Sequence, residues 1–143
     1  MENKLIEILL IEDNMQDAEL TIRTLKKNNL AHHILHLKDG AEAIGFLFPS
    51  EALDYPSNIK LILLDLKMPK VNGLEVLKKI KSNDRTKIIP SIILTSSKQE
   101  HDISQALSAG ANSYVVKPVA YDQFSETITK IGSYWLTLNQ SAR

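Results

Sequence analysis

Short aliphatic runs alternate with amphipathic stretches along this chain. Lys4–Ile11, His33–Leu37, Ile59–Leu64, Ile88–Leu94 and Ser113–Val116 are brief, rich in Ile, Leu and Val, and predict strands. Ile59–Leu64 is the most hydrophobic of them, apolar except for Lys60. Pro90 falls near the start of the fourth run, where a missing N–H is tolerated. Asn14 is placed to cap a helix whose inner face is Ala18, Ile22 and Leu25. Asp39-Gly40 signals a turn before a short helix over Ala41–Phe48, with Ile44, Leu47 and Phe48 facing inward. Pro49–Asn58 reads as a polar loop. Leu74, Leu77 and Ile80 mark a third helix after the Asn72-Gly73 turn. Gln99–Ala109 is a weaker fourth helix that ends at Gly110, a left-handed cap. The last helix, Tyr121–Leu138, carries Phe124, Ile128, Ile131, Trp135 and Leu138 at alternating spacings of four and three.

The strand runs are apolar on both faces, which implies a parallel sheet with helices on either side. The crossovers are then right-handed. Ligands in such α/β folds bind at the carboxyl ends of the strands, where the strand order reverses. The residues at those ends are chemically unusual. The first run stops at Glu12-Asp13, the third at Asp65, the fourth at Thr95-Ser96 and the fifth at Lys117-Pro118. If the first and third strands are neighbours, three carboxylates converge. At about 5 Å and an effective dielectric near 20, each pair repels by roughly 3 kcal/mol. Protonating one acid or binding a hard divalent cation relieves this. Mg²⁺ suits one to three carboxylates completed by waters and phosphate oxygens. A cation, an ammonium, a hydroxyl and a nucleophilic carboxylate are the parts needed to hold a phosphoryl group.

Four motifs make a resemblance explicit: LLIEDN (Leu9–Asn14), LLDLKMPKVNG (Leu63–Gly73), ILTSS (Ile93–Ser97) and SYVVKP (Ser113–Pro118). In this order and spacing they resemble the receiver domain of two-component response regulators, over nearly the whole chain. The resemblance implies a flavodoxin-like (βα)5 three-layer sandwich with strand order 2-1-3-4-5. It implies that Asp65 accepts a phosphoryl group from a sensor histidine kinase. Glu12, Asp13, Asp65 and the backbone carbonyl of Lys67 then hold Mg²⁺. The family commonly has aspartate at the Glu12 position, which leaves open whether Glu12 meets the metal directly or through water. Thr95 matches the hydroxyl that moves to the phosphoryl group, Lys117 the lysine that pairs with it, and Tyr114 the aromatic switch. The Lys117-Pro118 bond matches one that is cis in the family. Lys67 and Ser97 occupy the two variable positions that tune such sites. The Glu-Asp-Asn triplet, the long loop before the third strand and Tyr134-Trp135-Leu136 are similar to stand-alone regulators paired with bacterial and cyanobacterial phytochromes. Such regulators often dimerise through the last helix, which makes Tyr134, Trp135 and Leu138 a candidate dimer face.

Composition narrows the alternatives. At 143 residues, with 43% apolar and 24% charged residues, the chain is expected to be one receiver domain over 1–143, without an effector domain. Lys plus Arg and Asp plus Glu are 17 each, so no general affinity for nucleic acid or anionic membrane is expected. There is no cysteine, which excludes disulfides, thiolate metal sites and cysteine catalysis. No run approaches the roughly 20 apolar residues of a membrane span, and the N-terminus lacks a signal-peptide layout, so a cytoplasmic location is expected. His32, His33 and His36 read as solvated strand-edge residues, and Lys78, Lys79 and Lys81 as a solvated helix face. Two other functions stay open: a receiver-fold interaction module that is not phosphorylated, and a Mg²⁺-dependent phosphatase with an aspartyl-phosphate intermediate. The second normally needs an acid two residues after the nucleophile, where this chain has Lys67.

Overall fold

The computed structural model describes residues 5–50 and 58–140. Lys4 and most of the predicted loop, residues 51–57, lie outside the described residues. The strands are β1 (Ile8–Ile11), β2 (Ile34–Leu37), β3 (Leu61–Leu64), β4 (Ser91–Thr95) and β5 (Ser113–Val116). The helices are α1 (Met15–Lys27), α2 (Gly40–Leu47), α3 (Gly73–Ser82), α4 (Glu100–Ser108) and α5 (Tyr121–Ser133). All strand pairs are parallel, in the order β2-β1-β3-β4-β5. This is the flavodoxin-like topology, and the order reverses between β1 and β3.

β1 and β3 are wholly buried because each lies between two strands and two helical layers. Their alternate residues divide between two cores. Leu9, Ile11, Ile62 and Leu64 face Ala43, Leu47, Val76, Leu77, Ile80 and Ala106 of α2, α3 and α4. Ile8, Leu10, Leu61 and Leu63 face Ala18, Leu25, Phe124, Ile128 and Ile131 of α1 and α5. Burial of a single such aliphatic side chain stabilises by about 1.5–3 kcal/mol, so the central strands carry a large share of the burial that holds the fold together.

The helices that leave the first three strands start on side-chain caps. Asn14, Asp39 and Asn72 accept backbone N–H bonds from Asp17, Glu42 and Glu75 at 3.0, 2.9 and 3.0 Å. Each cap satisfies one of the unpaired N–H groups of a first helical turn. Gly110 has φ +106°, as expected of a left-handed helix end. Gly73 is required for a different reason. A Cβ there would lie 2.1 Å from the backbone oxygen of Asp65.

Several details depart from expectation. β4 begins at Ser91, and Pro90 lies outside it, its carbonyl accepting from Ile62 N–H at 2.9 Å. Lys81 is not a solvated lysine. Its ammonium donates to the Lys87 and Ile89 carbonyls and to Asn112 Oδ1 at 2.9–3.0 Å, and burial lowers its pKa. The last helix stops being α-helical at Ser133 and continues as a π turn over Tyr134–Leu138. Asn139 N–H donates to the Tyr134 carbonyl at 2.7 Å, an i to i+5 bond. The wider turn rotates the apolar stripe, so Trp135 and Leu136 pack on the core while Leu138 is 68% exposed.

Candidate functional site

The site lies at the carboxyl edge of the sheet, astride the β1/β3 switch point. The parallel ladders extend one residue past the strands and fix the acids. Glu12 N–H donates to the Leu37 carbonyl and Asp65 N–H to the Ile11 carbonyl, both at 3.0 Å. Glu12, Asp13 and Asp65 each bring one carboxylate oxygen within 4.8 Å of the others. Glu12 and Asp65 are buried, and Asp13 is exposed.

Lys117 enters from the end of β5. Its backbone N–H donates to the Thr95 carbonyl at 2.7 Å, which anchors its stem across from β4. Its Nζ lies 2.7 Å from Glu12 Oε1, 2.9 Å from Asp17 Oδ2 and 3.4 Å from Asp65 Oδ2. Burial works against this ammonium. Hydrogen bonds to Glu12 and Asp17 and the charge of Asp65 outweigh it, and hold the lysine pKa above its ordinary value. Glu12 moves the other way for an acid. Burial, then the charge of Asp65, push its carboxyl up to about 8, although Lys117 pulls it down. One ammonium does not compensate the buried acids.

Thr95 is fully buried, and its hydroxyl has no hydrogen-bond partner among the described residues. Buried polar atoms are rarely left so. A hydroxyl in that state suits a ligand oxygen that arrives later. Tyr114 is half-buried against the α2–α4 core, and its phenol donates to the Ser97 carbonyl at 3.0 Å. Burial pushes the phenol pKa up.

The two variable positions meet on one carboxylate. Lys67 Nζ lies 3.2 Å from Asp102 Oδ2, and the Ser97 hydroxyl donates to the same oxygen. That hydroxyl bond, before the weaker pull of Lys67, lowers the Asp102 pKa. Asp13, Lys67 and Asp102 also line a cleft of about 500 Å³ between the β3–α3 loop and α4. The Lys117-Pro118 bond is not cis as the resemblance implied. No described peptide bond is cis. The trans form is the intrinsically favoured one by about 0.5–1 kcal/mol, and with it Lys117 already reaches the acids.

Sequence reasoning missed three contributors: Asp17, Asp102 and His36. An acid in the first turn of a helix ordinarily complements the helix dipole, so Asp17 and Asp102 carried no distinct signal. His36 was read as solvated, yet its Nε2–H donates to the Glu12 carbonyl at 2.7 Å. Its position at the end of β2, beside the Glu12 backbone, was the available clue.

The fold and this edge define a class, and comparison with known proteins agrees with it. The model of the response regulator receiver domain matches residues 8–129, and the chain belongs to that family, the receivers of two-component signalling. The probable methanogenesis regulatory protein FilR2 of Methanothrix harundinacea is 38% identical over 134 residues, 94% of this chain and 86% of that protein. Response regulator Rcp1 of Synechocystis is 36% identical, covering 90% of this chain and 88% of that one. The crystal structure of the phosphorylated cyanobacterial phytochrome response regulator RcpA superposes with a TM-score of 0.90 at 32% identity, covering 98% of this chain and all of that one. The Mn²⁺-bound form of Rcp1 superposes with a TM-score of 0.88 at 34% identity, covering 96% and 99%. No helix among the described residues is long and apolar enough to cross a membrane.

Proposed function

We propose that this receiver is a phosphorylation switch whose phosphoacceptor is Asp65. The observation that carries the reading is an unbalanced charge cluster. Glu12, Asp13 and Asp65 converge, Lys117 is divided between Glu12, Asp17 and Asp65, and the neighbouring strand end holds a buried hydroxyl with no partner among the described residues. The donor is the phosphohistidine of a sensor histidine kinase, and the likeness to RcpA favours a phytochrome-type kinase. An Asp65 oxygen attacks phosphorus. The P–O bond forms as the P–N bond breaks, and the imidazole leaves with the electron pair and is protonated by solvent.

The donor set of hard oxygens fits a divalent cation. Mg²⁺ held by Glu12, Asp13, Asp65 and the Lys67 carbonyl would supply positive charge to the phosphoryl oxygens. Lys117 pairs with one phosphoryl oxygen, and the Thr95 hydroxyl donates to another. Moving Thr95 reorders the 95–100 loop, with it the Tyr114–Ser97 bond, and so the face of α4, β5 and α5. The chain assists its own phosphorylation and dephosphorylation and is not a turnover enzyme. It acts in the cytoplasm through protein contacts. A homodimer through the last helix is part of this reading, supported by the exposure of Tyr134 and Leu138, with Trp135 half-buried between core and surface.

Intact mass after incubation with Mg²⁺ and acetyl phosphate tests it. Wild type gains about 80 Da, the mass of one phosphoryl group, and Asp65→Asn does not. An unmodified wild type that also fails to bind beryllofluoride rules the reading out. Sustained turnover of phosphate esters would instead favour the phosphatase.

A further inference from the structure

The ammonium of Lys117 does not sit centrally among its acids. It lies 2.7 and 2.9 Å from Glu12 and Asp17, and its hydrogen bond to Asp65 is the longest of the three, at 3.4 Å. Asp17 comes 100 residues before Lys117 and from a different element, the first turn of α1. None of the four motifs that mark the strand ends contains it. Its backbone is held on both sides. Its N–H donates to the Asn14 cap at 3.0 Å, and its carbonyl accepts from Thr21 Oγ1 at 2.8 Å. The backbone that carries the carboxylate is therefore held in place on α1.

From this geometry we infer that Asp17 is a positioning residue that draws Lys117 toward α1 and lengthens its contact with Asp65 in the unphosphorylated state. The inference rests on the phosphoacceptor reading above. A new phosphoryl group brings nearly two negative charges to Asp65 and draws the ammonium toward it. Asp17 competes for that ammonium. Asp17 thus weakens the phosphorylated state against the resting state, and sets how readily the switch resets. Lys117 can exchange partners with little movement, since the Asp65 oxygen is only 0.5 Å farther than the Asp17 oxygen (3.4 against 2.9 Å).

The test is beryllofluoride affinity at saturating Mg²⁺, so that a weaker metal site does not enter. Asp17→Asn is expected to tighten binding roughly fivefold, the scale of one part-exposed ion pair. The acetyl-phosphate adduct should persist longer by a similar factor. Asp17→Ser, which keeps a small polar group in the first turn, serves as a second variant. Asp17→Glu restores the charge and should return binding to near the wild-type value. In a Lys117→Gln background, Asp17→Asn should change affinity less than twofold, because the residue acts through the lysine. Unchanged or weaker binding in Asp17→Asn and Asp17→Ser overturns the inference. So does an equal gain in the Lys117→Gln background, which would mean only a through-space charge effect. Those outcomes leave wild-type binding intact, whereas a wild type that binds no beryllofluoride removes the phosphoacceptor reading itself.

Discussion

The buried glutamate makes the metal-free protein sensitive to pH, in a direction opposite to that of most acids. Glu12 is 3% exposed. Burial and the charge of Asp65 raise its pKa from the ordinary 4.5 to about 8. Between those values the folded chain keeps a proton that the unfolded chain has released. The folded state binds more protons there, so its stability falls as pH rises, and the loss levels off above about 8. Each pH unit in the window is worth about 1.36 kcal/mol. The whole window therefore carries roughly 5 kcal/mol as an upper bound, since Lys117 and Asp65 respond to the same proton. Glu12→Gln isolates the effect, because the amide keeps the shape and an acceptor for Lys117 without titrating. Urea unfolding in EDTA from pH 5 to 9 is the assay. Wild type and variant should be close at pH 5, and the variant more stable by several kcal/mol at pH 8.5. Saturating Mg²⁺ should flatten the wild-type curve, because the cation binds the carboxylate form. Parallel curves in EDTA across the whole range would refute the reading that Lys117 only partly compensates a charge on Glu12.

Two further perturbations separate fold from function. Thr95→Val removes a buried hydroxyl that lacks a partner among the described residues, so it should leave stability unchanged or raise it by up to about 2 kcal/mol; beryllofluoride affinity should fall at least tenfold, and weaker stability with intact binding would argue against a phosphoryl role for the hydroxyl. Gly73→Ala places a methyl 2.1 Å from the Asp65 carbonyl oxygen; denaturant unfolding should show a loss of roughly 3 kcal/mol, with reduced phosphoryl adduct because the displaced backbone carries Asp65.

Much of this architecture was legible because the strands are short, aliphatic and separated by good caps. Asn14 and the Asn72-Gly73 turn announce α1 and α3, and Gly110 ends α4 as its sequence position implies. Boundaries slipped where a residue's local preference and its pairing disagree. Ile88 is apolar, yet it is half exposed and lies two residues before Pro90, and β4 starts three residues after it. Thr21 and Thr24 look polar but are buried in α1, where Thr21 satisfies its hydroxyl on the Asp17 carbonyl and Thr24 on Ser125 of α5. The strand-end chemistry was legible because topology alone brings those ends together. The partners supplied by helices were not. Asp17, Asp102 and His36 gain their meaning from contacts across 100, 35 and 24 residues that no local pattern encodes.

The placement of the acids explains why this edge of the sheet works as a switch. The carboxylates follow immediately on β1 and β3, strands packed on every side, so repulsion between them does not relax by moving the backbone. It relaxes only through particles that come and go: a proton on Glu12, a cation among the oxygens, or the ammonium of Lys117. Each has another place to be. The proton has solvent, and the ammonium has Asp17, whose backbone is held on α1 by Asn14 and Thr21. Phosphorylation adds charge at the one point that is already overloaded, and the mobile groups must redistribute. Thr95 and Lys117 are joined through a backbone bond of 2.7 Å between β4 and β5. Redistribution at the acids is thereby linked to the strand pair beneath Tyr114. A rigid cluster of fixed charges beside a few mobile ones converts a local chemical event into a change of surface.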